Sequence, residues 1–116
     1  RKKIQRIMEE EAGLIRSEAS LCRALDRLRA VKQEDLPRMQ VADLRIFNYE
    51  LQDAVEVGFM VEVAELVARA ALLRTESRGH HFRSDHPRED EGWRKHTLLK
   101  KRGEEVLCSS VPVIRL

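Results

Sequence analysis

The sequence predicts an all-α fold: a three-helix bundle of spectrin-repeat type with a long third helix, followed by an irregular loop and a small C-terminal β-hairpin. Three observations carry that prediction. Aromatic residues make up only 4% of the 116 residues while charged residues make up 36%, so aliphatic side chains and alanine must supply the core. Apolar residues recur at intervals of three and four over most of the first 77 positions, the period of a helix face. Glycine and proline fall between those runs, where they end helices.

The first run places Ile4, Ile7, Met8 and Ala12 on one face, which gives a helix over 1–12 broken by Gly13. Ser17 is a cap for a second helix over 17–33, with Glu18 at the positive end of its dipole and a stripe of Leu21, Ala24, Leu25, Leu28 and Val31. Pro37 ends it, and the two helices should run antiparallel. Residues 39–47 have no clean stripe and read as an extended connection.

Asn48 caps the longest pattern, a helix over 49–77 in which Leu51, Val55, Phe59, Val63, Leu66, Ala70 and Leu73 form the expected core face. Gly58, unfavourable inside a helix, is expected to mark close packing with a neighbouring helix. Gly79 is read as the helix stop, since glycine enters the left-handed conformation without steric cost. After a loop over 79–95, two short runs flanking Arg102-Gly103 give a hairpin over about 96–110.

A chain of this length forms one domain with a modest core. The net charge of +2, with acids and bases interspersed, gives no strong field for nucleic acid. Cys22 and Cys108 lack metal or redox spacing, and nothing resembles a signal peptide or membrane span, so reduced thiols in a cytoplasmic setting are expected. The chain opens Arg1-Lys2-Lys3, already helical in pattern, and reads as a piece of something longer.

The chemistry-bearing residues concentrate between Arg74 and His96. There is no Gly-rich phosphate loop after a strand, no GxSxG and no HExxH, so no catalytic, cofactor-binding or metal residue is expected in this segment. His80, His81, Asp85, His86 and His96 are competent zinc donors, but their spacing fits no standard site, and pairing of the histidines with Glu89, Asp90 and Glu91 is the plainer expectation. Arg74, Arg78 and Arg83 beside Glu76 and Asp85 suggest a bidentate ion-pair lattice joining the helix end to the loop; the rival is an arginine facing an anionic ligand. Arg94, Lys95, Lys100, Lys101 and Arg102 with Trp93 and Phe82 make only a dilute basic patch.

Arg74-x-Glu76-Ser77-Arg78-Gly79-x-His81-Phe82-Arg83-x-Asp85-x-Pro87, then Asp90, Trp93 and Lys95-His96-Thr97-Leu98, resembles the C-terminal domain of succinate dehydrogenase and fumarate reductase flavoprotein subunits. Gly13-Leu14-Ile15-Arg16 is similar to the family's turn between the first two helices, Phe47-Asn48-x-x-Leu51 to the start of its long helix, and Val111-Pro112-Val113 to its tail. L-aspartate oxidases share the ESRG segment, but the Trp93 to Leu98 continuation is more like the succinate and fumarate enzymes. His80 and His86 depart from the family's usual small and aromatic residues.

The resemblance implies a helical appendage of an FAD-dependent succinate/fumarate oxidoreductase that packs against the flavin domain, with the FAD-binding and capping domains lying in other parts of the parent chain. It implies FAD in the parent and none in this segment. Arg74, Glu76, Ser77, Arg78, Gly79, His81, Arg83, Asp85, Pro87, Trp93 and His96 would then be structural residues. Expected partners are the flavin domain of the same chain and an iron-sulfur subunit, with self-association of the isolated segment, no nucleic acid and no membrane insertion; attachment to the cytoplasmic membrane face would run through partner subunits. A self-sufficient helical module binding protein or nucleic acid is the alternative.

Overall fold

The computed structural model describes residues 1–43 and 45–114. Leu44, inside the expected connection at 39–47, and residues 115–116 lie outside the described residues. The fold is mostly helical. Three helices, α1 (Lys2–Glu11), α2 (Glu18–Ala30) and α3 (Tyr49–Leu73), are followed by a loop and an antiparallel hairpin of β1 (Lys95–Arg102) and β2 (Glu105–Pro112).

Local chemistry sets the helix starts. Ser17 Oγ accepts from Ser20 N at 3.2 Å while Ser20 Oγ accepts from Ser17 N at 3.0 Å, a reciprocal cap that satisfies two backbone donors at the start of α2. Asn48 Oδ1 accepts from Leu51 N at 2.9 Å and fixes the start of α3. α2 ends at Ala30, short of the expected residue 33, yet Pro37 does not bound the helical backbone. Helical backbone continues through a π-helical turn (Val31–Asp35) and a 3-10 turn (Leu36–Arg38), and proline is tolerated there because the first turn of a helix has no partner for its amide.

Ion pairs and packing give the helix directions. Glu10 and Glu11 reach Arg27 and Arg23, while Lys3 reaches Asp35, so α1 and α2 are antiparallel. Arg1 bonds Asp53 and Glu56, and Ala12 packs with Ala71, so α1 and α3 run in the same direction. Ile4, Ile7, Ala24, Leu28, Val31, Val61, Ala64 and Ala68 form the core between all three helices. A second, smaller cluster of Ala12, Leu21 and Ala71 closes the end nearest the loop.

Two expectations about α3 are corrected. Its core face is not the ridge of large residues: Leu51, Val55, Phe59 and Val63 are exposed, and Val61, Ala64, Ala68 and Ala71 are buried instead. The helix is apolar over most of its circumference, and α2 can approach closest where the side chains are small. The second correction concerns Gly58. A Cβ built there meets nothing within 4 Å, so among the described residues no neighbouring helix packs on it. Gly58→Ala should therefore raise the unfolding free energy of this chain by roughly 1 kcal/mol, read as a higher urea midpoint; an unchanged or lower midpoint would contradict the open site.

The hairpin pairs Lys95 with Pro112 through Arg102 with Glu105 around a two-residue turn in which Gly103 takes φ +62°. Thr97, Leu99, Val106 and Cys108 form its partly buried face, directed at the C-terminal half of α3, where Lys101 lies 3.9 Å from Glu62. Such a hairpin needs this support, since two strands alone are barely stable in water.

Candidate functional site

Helix α3 ends at Leu73, earlier than the expected Ser77, and Gly79 is not its stop. Arg74, the C-cap, is already extended at φ −79° and ψ 100°. The terminal carbonyls are satisfied from a distance: Arg83 Nη1 donates to Leu72 O at 2.8 Å and to Arg74 O at 3.3 Å. A guanidinium is suited to this place, because it adds positive charge at the negative end of the helix dipole. Gly79 instead opens a two-residue turn, at φ +59°, between Arg78 and His81, whose backbones exchange hydrogen bonds at 2.8 and 3.0 Å.

Arg83 is 1% exposed, and its other edge forms a bidentate pair with Asp85, at 3.0 Å from Nε and 2.6 Å from Nη2. Asp85 in turn accepts from Glu18 N at 3.1 Å, in the first turn of α2. One ion pair thus holds two helix ends, its cation at the C-terminus of α3 and its anion at the N-terminus of α2, each facing the dipole that favours it. Chiefly the Arg83 hydrogen bonds hold the Asp85 carboxyl down from 3.8 to about 2.

Beside it, Glu76 is fully buried between two arginines. Arg78 donates to it from Nε at 3.0 Å and Nη2 at 3.1 Å, Arg74 donates from Nη1, and Asp90 N adds a fourth bond at 2.9 Å. Burial opposes ionisation of Glu76, but the bonds to Arg78, Asp90 N and Arg74 outweigh it and bring the carboxyl from 4.5 to about 2. The same contact with Glu76 raises Arg78. Arg74 also donates to Trp93 O at 2.8 Å and Thr97 Oγ1 at 3.3 Å, and lies 5.2 Å from the centre of the Trp93 ring, tying the hairpin to the helix end.

His81 shows which tautomer the joint requires. Arg16 Nη1 lies 3.1 Å from its Nδ1 and a guanidinium can only donate, so Nδ1 accepts and Nε2 carries the proton that is donated to Arg74 O at 3.2 Å. Burial first, then the charges of Arg16, Arg83 and Arg74, lower the His81 pKa, in keeping with this neutral form. The backbone of Arg16 is also stitched to the loop, with Arg16 N to Phe82 O at 3.0 Å and Ser84 N to Arg16 O at 2.7 Å. Ser77 Oγ accepts from Arg83 N at 2.9 Å and lies 2.7 Å from His86 O, to which it donates.

The structure therefore brings together Arg74, Glu76, Ser77, Arg78, His81, Arg83, Asp85 and Trp93. Pro87 and His96 are exposed, the latter on β1 opposite Val111 of β2, and neither joins the lattice. Of the candidate zinc donors, His81 and Asp85 are committed to arginine and backbone, and the described residues contain no group of three or more donors disposed to hold a metal ion. Glu89 and Glu91 pair with Arg78 and Arg94 and not with histidine. Sequence reasoning missed the bond of Arg16 to His81 and the hydrogen bond from Trp93 Nε1 to Thr75 Oγ1 at 2.8 Å; the signal for Arg16 was its place in the Gly13 to Arg16 turn, next to the Ser17 cap.

Arg74, Arg78 and His81 line an open pocket with Trp93, Arg94, Lys95 and His96, and each of the three is already bonded within the lattice, the arginines to Glu76 and His81 to Arg16 and Arg74 O. Comparison with known proteins agrees with a domain shared by several redox enzymes. The family described as fumarate reductase flavoprotein C-term matches residues 1–114. The chain is 39% identical to the fumarate reductase flavoprotein subunit of Haemophilus influenzae over 94 residues, which cover 79% of this chain and 16% of that protein. It is 37% identical to the L-aspartate oxidase of Streptomyces coelicolor, over 90% of this chain and 18% of that protein. Among solved structures, adenylylsulfate reductase from Archaeoglobus fulgidus superposes with a TM-score of 0.88 at 32% identity, over 98% of this chain and 18% of that one. The chain thus spans less than a fifth of the length of each of these relatives.

Proposed function

We propose, from the premise that this chain belongs to the fumarate reductase flavoprotein C-terminal family, that it serves as the C-terminal helical domain of an FAD-dependent succinate/fumarate oxidoreductase flavoprotein subunit. In that reading the three helices are a short spectrin-repeat-like bundle that packs against the flavin domain and takes no chemical step itself. The observation that carries it is the match over residues 1–114 together with the Arg74 to Asp85 lattice, in which Glu76 pairs with Arg74 and Arg78 and Asp85 with Arg83.

The flavin belongs elsewhere in the polypeptide. FAD binding on a dinucleotide fold needs a strand running into a helix through a Gly-rich turn, so that backbone amides meet the pyrophosphate. The strands described here follow the helices and pair only with each other, which does not fit that group. Among the described residues no helix is long and apolar enough to cross a membrane.

The purified chain, mixed with FAD, fumarate and a reduced viologen, should give no turnover above a buffer blank, while the full-length flavoprotein containing it reduces fumarate. Turnover by the chain alone would overturn this assignment. The Streptomyces coelicolor relative supports a second reading, an L-aspartate oxidase parent; full-length protein that oxidises L-aspartate and leaves succinate untouched would favour it.

A further inference from the structure

A second cavity lies toward the turn of the hairpin, where β1 and β2 face the end of α2, the π-helical turn after it and the C-terminal half of α3. Its volume of about 670 Å³ falls among those of small-molecule sites, which run from roughly 300 to 1,000 Å³. Leu66 of α3 and Leu99 and Val106 of the hairpin, all partly buried, give it an apolar wall.

Its lining charges answer one another except at one place. Lys32 Nζ is 3.3 Å from Glu65 Oε2 and Lys101 Nζ is 3.9 Å from Glu62 Oε1. Arg29 is exposed on α2, 3.9 Å from Asp26, and Glu104 is exposed on the hairpin turn. Arg69 is different. Among the described residues no hydrogen bond or ion pair engages its side chain, and its Nε is the one buried side-chain nitrogen or oxygen left without a partner. The buried Arg83, by contrast, places its donors on Asp85 and two carbonyls at the end of α3. A buried N–H with no acceptor is costly, so Arg69 calls for an acceptor from outside the chain.

We propose that this cavity binds a small aliphatic monocarboxylic acid, its carboxylate on Arg69 and its hydrocarbon body against Leu66, Leu99 and Val106. A guanidinium presents a fork of donors that matches the two oxygens of a carboxylate. One unmatched cation fits one negative charge, and the apolar wall beside it shelters a hydrocarbon that an inorganic anion lacks. The carboxylates of Glu62, Glu65 and Glu104 around it disfavour ligands of higher negative charge. The site is built wholly from this chain and shares no residue with the ion-paired joint.

The test titrates sodium octanoate into the full-length protein that contains this chain, with leucine and valine methyl groups labelled for NMR. Shifts at Leu66, Leu99 and Val106 should saturate together, while those of Leu51 and Val55 on the exposed face of α3 stay in place. Arg69→Met, which keeps the length of the side chain and drops its charge, should weaken binding at least about tenfold, as loss of a charge-assisted hydrogen bond does. Because Arg69 bonds nothing in this chain, the same change should leave the melting temperature without octanoate where it was; a clear fall would show that Arg69 already has a partner and overturn the proposal. Octanol that binds as well as octanoate, or inorganic phosphate that displaces it, would overturn the monocarboxylic acid. Binding by the 116-residue chain and not by the full-length protein would show that another part of the polypeptide fills the cavity, and absence of saturation in both would leave Arg69 to water; either result overturns the site.

Discussion

Replacing Glu76 by glutamine should destabilise the domain by about 3 kcal/mol, the low end of what breaking a buried ion pair costs, because Arg74 and Arg78 keep some access to water. Glutamine keeps the shape but turns an amide N–H toward a guanidinium, and two cations lose their only shared anion. For a domain of this size that is a fall of more than about 10 °C in melting temperature. The pH dependence gives the sign. Glu76 titrates at about 2 in the folded chain against 4.5 ordinarily, and Asp85 at about 2 against 3.8. Both carboxylates therefore contribute fully above about pH 5, and their contribution is lost as pH falls toward 2. Wild type and Glu76→Gln should differ most at neutral pH and converge near pH 2; a constant difference across that range would show that the charge of Glu76 is not what stabilises the joint.

Arg83→Ala should cost about as much or more, roughly 3 to 5 kcal/mol, since it removes a side chain 1% exposed and strips Asp85, Leu72 O and Arg74 O of a donor at once. Arg83→Lys recovers only part. An ammonium cannot form the two-toothed pair with Asp85 and also reach the helix carbonyls, so about 2 kcal/mol should still be lost. Adding Asp85→Ala to Arg83→Ala should cost little more, as the two residues act as one unit. Urea unfolding of wild type, Arg83→Ala, Arg83→Lys, Asp85→Ala and the double variant checks this, and additive losses would argue against the shared pair.

Much of the architecture was readable from the chain because its signals are local. Ser17 and Asn48 are caps whose partners lie three residues away, and the turn at Gly103 has its strands on either side. The end of α3 was not readable, because its capping group arrives from Arg83, and Gly79, the local candidate, serves a different turn. The core face of α3 was misread for a related reason. On a helix that is apolar nearly all round, periodicity does not say which face is inside, and the large residues draw the eye while the alanines make the contact. The charged pairs of the site were suggested by their spacing, but the part of Arg16 was not, since 65 residues separate it from His81.

That separation also bears on the order in which the domain assembles. The backbone bonds between Arg16 and the Phe82 to Ser84 segment close a loop containing α2 and α3 entire, so they can form only once those helices lie side by side. The stitch of Arg16 to that segment should therefore close after the bundle has collapsed, whereas the pairs of Glu76 with Arg74 and Arg78 and of Arg83 with Asp85 join residues two apart and need no such closure. Stopped-flow traces of Arg16→Ala, which loses the bond to His81, should accordingly keep the refolding rate of the parent chain and put nearly all of the lost stability into faster unfolding.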